Sequence, residues 1–99
     1  MLQVDSTVVA NELVSEDIYR RVLLAPSIAT TIEPGQFINI RTRRCNDPLC
    51  RRPFSVVRRL TLEGGGLGVE VFYRVVGRGT RTMASLGRGE QVDLIGPLG

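Results

Sequence analysis

Glycine and proline interrupt this chain about every ten residues, and that spacing leaves no room for a long helix. Eleven Gly and five Pro are spread through 99 residues. Between them lie short runs with the signature of strands. Residues 4–14 read as a first strand, with a turn at 15–17, and residues 18–24 as a second. Pro34-Gly35 suits the two central positions of a type II turn, and a brief helical turn fits before it. Residues 36–43 alternate Phe37, Asn39 and Arg41 against Ile38, Ile40 and Thr42, the period of a strand. Residues 52–62 form a fourth strand, and 63–68 a glycine-rich turn. Residues 69–76, VEVFYRVV, are dense in β-branched and aromatic side chains and form the fifth. From Thr80 to Leu86 two helical turns fit, with Thr80 as N-cap, Met83 and Leu86 inward and Gly87 as the stop. Residues 91–96 close the pattern. The fold class is therefore all-β: six strands with one short helix before the last, as a small antiparallel barrel or sandwich.

Ninety-nine residues suit one domain. A hydrophobic fraction of 42% and a charged fraction of 23% match a globular chain. No run approaches the ~18 apolar residues of a membrane span. Asp5 and Glu12 precede any basic residue, so the start does not read as a signal peptide, and a cytoplasmic location is expected. Histidine is absent, which excludes Ser-His-Asp, Cys-His and His-metal chemistry. Cys45 and Cys50 are spaced C-x4-C, half of a plant-type ferredoxin spacing without the other two ligands. They read as free thiols in a reducing compartment, or as a redox-sensitive pair whose pKa nearby arginines lower.

All thirteen cations are arginine, for a net charge of +3. Guanidinium forks match phosphate and stack on rings, although a GC-rich genome writes the same bias. Two stretches give it a place. In GRGT, 77–80, glycines before a helix let a ligand approach amides that lack internal partners, and no acid competes for them. The same residues also make a plain turn. In RRPFSVVRR, 51–59, Pro53 removes a donor, so the strand lies at an edge or where a ladder opens. There Phe54 fits against a flat ring, Ser55 reaches a ring nitrogen and Arg52 holds a diphosphate. The plain alternative is an edge strand with solvated arginines and a core Phe. Arg58 and Arg59 read as charges on a solvated strand end, and Arg51 has no assigned role.

Taken in order, PGQFINIR, DPLCRRPFSV, VFYRVVGRGT and GEQVDLIGPLG resemble the flavin-binding barrel of the ferredoxin-reductase superfamily. Within it they are most similar to the electron-transfer subunits of NAD-dependent dihydroorotate dehydrogenases. The resemblance covers nearly the whole chain and implies a Greek-key barrel that binds FAD. It assigns the diphosphate to Arg52, the isoalloxazine ring to Phe54 and its N5 edge to Ser55, with Pro53 completing the family's Arg-Pro pair. It places Phe72, Tyr73 and Arg74 along the ribityl and adenosine portions, and Gly79 and Thr80 at the diphosphate from the helix start.

Full-length members continue into a nucleotide-binding domain and a cysteine cluster holding a 2Fe-2S centre. On this resemblance residues 1–99 are the flavin domain of a longer subunit, and 2Fe-2S and NAD belong to that longer protein. Cys45 and Cys50 do not match the cluster positions. In the complete complex, electrons from dihydroorotate would pass from an FMN-containing catalytic subunit through the iron–sulfur centre and FAD to NAD+, in pyrimidine biosynthesis. The chain alone would lack NAD-linked activity. Neither a membrane nor nucleic acid is an expected partner. Two alternatives stand beside this. One is the flavin domain of another reductase, such as a hydrogenase or sulfhydrogenase partner. The other is a non-enzymatic nucleic-acid-binding barrel using Arg41, Arg43, Arg44, Arg51, Arg52, Arg58 and Arg59.

Overall fold

Short β-rich runs with tight turns fold here onto their own neighbours. In a computed structural model of the chain, the described residues are 1–42, 51–85 and 87–99, without the side chains of Thr42, Arg78 and Thr82 or the surroundings of Gly79. Cys45, Cys50 and Leu86 therefore lie outside the described residues. The elements are β1 (Leu2–Ser15), β2 (Ile18–Leu24), α1 (Pro26–Ala29), β3 (Phe37–Thr42), β4 (Arg52–Thr61), β5 (Leu67–Arg74), α2 (Arg78–Ser85) and β6 (Gln91–Leu98).

All pairings are antiparallel, and the sheet closes in the order β1-β2-β5-β4-β3-β6. β3, β4 and β5 form a meander. β6 returns beside β3, and β2 lies beside β5, so the order is that of a Greek key. The expected six-stranded barrel with a helix before its last strand is the fold observed.

Alternation sets the core. Ile38 and Ile40 of β3, Val69 and Val71 of β5, Val92 and Leu94 of β6 and Leu23 of β2 are all fully buried. Gly68 sits where strands crowd: a Cβ there would lie 2.8 Å from the Leu23 carbonyl oxygen. Gly35, at φ 87°, supplies the positive φ that the type II turn requires. α1 starts on Pro26 and buries Ile28 and Ala29 at the end where β5 begins. α2 buries Met83 at the end where β5 finishes, against Asn11 of β1 and Arg21 of β2.

Most element boundaries shift by one or two residues from the sequence reading, and three of the shifts have a visible cause or consequence. β5 stops at Arg74 because the Val75 amide turns to the Asp17 carbonyl. β6 runs past Pro97 to Leu98, which pairs with Phe37. α2 begins at Arg78, so Thr80 is its third residue rather than its N-cap. Gly77 holds the cap position, and its carbonyl accepts from the Arg81 amide at 2.9 Å.

Arg58 and Arg59 are exposed, as read from sequence, but each also has a partner. Arg58 donates from Nε to Glu70 at 2.9 Å, and Arg20 donates to the same carboxylate from the neighbouring strand. Arg59 donates to the Ala29 carbonyl at 3.3 Å. Arg51, left without a role by sequence, pairs with Asp93 at 3.3 Å, as Arg41 does at 3.1 Å.

Candidate functional site

β4 divides its partners along its length. Its first half pairs only with β3, from Ile40↔Arg52 to Phe37↔Ser55. Its second half pairs with β5, from Val56↔Val71 to Thr61↔Leu67, with a register shift between Val56 and Arg58. The barrel wall therefore opens between residues 52–55 and 72–74. Pro53, which brings no backbone donor, stands in this opening. Of the two places a strand proline allows, the chain uses the open ladder.

A hollow of about 470 Å³ occupies the opening, within the size range of small-molecule sites. Residues 52–55 form one wall, 72–74 the other, and Val76, Gly77 and Thr80 form the end. Thus Arg52, Pro53, Phe54, Ser55, Phe72, Tyr73, Arg74 and Thr80, which the sequence places at one ligand, line a single cavity. Gly79 precedes Thr80 in α2, and its surroundings are outside the described residues.

Arg52 and Phe54 share the inward-facing side of β4 with their partners Ile40 and Ile38, while Pro53 and Ser55 face out. Because β5 has left, a ligand lying along this strand edge can touch both sets. Phe54 meets Tyr73 edge-on at 5.7 Å, and Tyr73 stacks on Tyr19 at 5.6 Å. Such pairs add about 0.5–1.5 kcal/mol each beyond burial and stiffen the floor. Phe72, on the opposite side of β5 from Tyr73, is 41% exposed and offers a free ring face.

The charges at the cavity are positive. Arg52 donates to the Arg51 carbonyl at 3.2 Å, and among the described residues no carboxylate pairs with it. Arg74 reaches Asp17 at 3.5 Å, with both side chains well exposed. The first turn of α2 carries no acid. The Thr80 hydroxyl accepts from the Val76 and Gly77 amides at 2.8 and 3.1 Å. It thus ties the loop entering the helix, whose first-turn amides have no partner within the helix itself.

Behind the cavity lies a polar group that the sequence did not reveal. Arg21 is fully buried. It shares the inner face with Tyr19 and Leu23, and pairs across with Asn11 and Val71. Its Nη2 donates to the Met83 carbonyl, its Nε to Asn11 Oδ1 at 3.3 Å, and its guanidinium lies 5.7 Å from the Tyr73 ring centre. Tyr73 donates its hydroxyl to the same Asn11 oxygen at 2.8 Å. Burial pulls the Arg21 pKa down against the favourable field of Tyr73. Burial likewise pushes the Tyr73 phenol up, with the Arg21 charge opposing it. The only signal in sequence was position: Tyr19, Arg21 and Leu23 fall on one side of β2, and nothing in the dipeptide Arg20-Arg21 says which arginine turns inward.

A family model described as an oxidoreductase FAD-binding domain matches residues 5–99. The chain belongs to this family. Among curated relatives, the electron transfer subunit of dihydroorotate dehydrogenase B (NAD(+)) from Desulforamulus reducens is 38% identical over 96% of this chain and 35% of its own length. That from Fusobacterium nucleatum is 35% identical over 96% of this chain and 36% of its own. The chain thus spans about a third of the length of these relatives. Among solved structures, an NADH-dependent reduced ferredoxin-NADP oxidoreductase superposes with a TM-score of 0.79 at 28% identity, over 95% of this chain and 32% of that one. The ferredoxin reductase of carbazole 1,9a-dioxygenase gives 0.77 at 24% identity, over 99% of this chain and 29% of that one, a likeness of fold alone.

Proposed function

We propose that this FAD-binding domain holds FAD in the opening between β4 and β5, as part of the electron-transfer subunit of a dihydroorotate dehydrogenase. The observation that carries the reading is convergence. Residues far apart in sequence, each suited to one part of a flavin dinucleotide, line one cavity.

The donor set fits the group. Arg52, without a carboxylate partner among the described residues, offers a fork for the diphosphate. The acid-free start of α2, with Gly79 and Thr80, adds backbone donors on the same side. Phe54 and Ser55 border the isoalloxazine, one by ring contact and one by hydrogen bond. Phe72, Tyr73 and Arg74 flank the ribityl and adenosine portions. The barrel's role is to bind, orient and shield the ring, since the flavin itself carries the redox chemistry.

In the longer protein, the cofactor would pass electrons from dihydroorotate, arriving from an FMN-containing catalytic subunit through a 2Fe-2S centre, to NAD+. The relatives' names support the subunit assignment, and the uncovered two thirds of their length would carry the nucleotide-binding and iron–sulfur parts.

Titration of the chain with FAD, followed by flavin absorbance and fluorescence, tests the reading. The bound form should be yellow. Arg52→Ala should weaken binding by about 10- to 100-fold, the loss of one charge-assisted contact. Absence of FAD uptake by both this chain and the longer protein would refute it.

A further inference from the structure

Two inner-face side chains on adjacent strands, Asn11 of β1 and Arg21 of β2, reach the C-terminal turn of α2, and Tyr73 of β5 joins them. Arg21 donates to the Met83 carbonyl, and Asn11 Nδ2 lies 3.3 and 3.4 Å from the Met83 and Ala84 carbonyls. The three are also joined to one another: Asn11 Oδ1 accepts from both Arg21 and Tyr73. A buried cation at the carbonyl end of a helix is well placed for the helix dipole. It also satisfies carbonyls that no further helical turn would reach.

The two ends of α2 have different tasks. Its first residues close the cavity through Gly77 and Thr80, and its last turn is anchored on Arg21. Tyr73, the third member, is itself part of the cavity wall. One guanidinium therefore bears on both the helix start and the aromatic floor without lining the cavity.

We propose that Arg21 is a positioning residue for phosphate-bearing ligands in this cavity: it holds α2 against the barrel so that the helix start and Tyr73 keep a fixed relation across the opening. This rests on the flavin reading and extends it to a residue behind the site. A bulky apolar residue at position 21 would fill the same space without gripping the carbonyls. The helix start would then move relative to β4, while the ring-binding edge formed by Phe54 and Ser55 would stay in place.

The test compares Arg21→Met and Arg21→Lys with the unchanged chain, using FAD and riboflavin as separate probes and amide hydrogen exchange on α2. Riboflavin presents the ring system without the diphosphate. Arg21→Met should weaken FAD by about tenfold or more, the equivalent of a lost charge-assisted hydrogen bond. It should change riboflavin binding less than about twofold, within the scatter of a surface substitution. Amides 81–85 should lose protection relative to those of β3. Arg21→Lys, which keeps the charge but replaces the planar fork with a single ammonium, should fall between. Equal weakening of FAD and riboflavin would mark a merely structural residue and overturn the proposal, as would unchanged FAD binding. If Arg21→Met fails to fold, Asn11→Ala, at a residue that does not line the cavity, removes another arm of the network. It should weaken FAD more than riboflavin, and equal effects overturn the proposal. If neither the unchanged chain nor the longer protein takes up either probe, the flavin reading fails, and exchange on α2 alone then decides whether Arg21 holds the helix.

Discussion

Glu70 is only 2% exposed and still carries a charge, because two guanidiniums from flanking strands reach it. Burial by itself would push its carboxyl up. Hydrogen bonds from Arg58 and Arg20 outweigh that and hold it below the usual carboxylate range. Asp93 behaves alike: burial would raise it, and Gln3, Arg41 and Arg51 together bring it down. A carboxyl lowered in the folded state stabilises the fold above its unfolded pKa, about 4, and the contribution fades as pH falls through the folded value. Glu70→Gln should therefore cost about 1–3 kcal/mol in urea unfolding at neutral pH, since Arg58 loses its counter-charge and Arg20 keeps only the exposed Glu12. The cost should shrink on acidification below about pH 4, where the unmodified carboxyl is also being neutralised. A cost that stayed constant with pH would show that the ion pairs are not what Glu70 supplies.

At the scale of elements, the cavity exists because β4 changes partner half-way and α2 turns back over the gap. Thr80 holds that turn by accepting two amides at once. Thr80→Ala leaves both amides short of an acceptor and should cost about 1–3 kcal/mol in stability. It should also weaken FAD, while Thr80→Ser, which keeps the oxygen, should restore both. If serine fails to rescue either property, the methyl rather than the hydroxyl matters. The sequence showed Thr80 as important but placed it at the N-cap, because propensity favours Thr there and Gly77 leaves no side-chain trace of the cap. The strands were legible for a simple reason: alternation and turn residues are local signals. The open ladder was half legible, since Pro53 announces a missing donor but does not say which neighbour withdraws. Arg21 was illegible. Its meaning depends on Asn11, Tyr73 and the Met83 carbonyl, which lie 10, 52 and 62 residues away in sequence, and no local pattern encodes such a meeting.

Across the whole molecule, the question is what thirteen arginines without a lysine are for. A nucleic-acid surface needs guanidiniums free to replace counterions around phosphates. Here Arg20 and Arg58 are committed to Glu70, Arg41 and Arg51 to Asp93, and Arg21 to the interior. Of the seven residues such a patch would use, three are thus held in ion pairs, and Arg43 and Arg44 lie outside the described residues. Arg52 remains, together with Arg59 on its carbonyl partner. Four available cations at most would give a log–log salt slope for DNA binding no steeper than about −4, against about −6 for the full patch. FAD held in a concave site should survive salt better, because partly enclosed charge pairs are screened less than exposed ones. Titrating the chain with duplex DNA and with FAD over the same salt series separates the two. A DNA slope near −6, with affinity exceeding that for FAD, would make the arginines a nucleic-acid surface. A shallow slope with FAD retained would leave them as the barrel's own fastenings, with Arg52 kept free for the ligand.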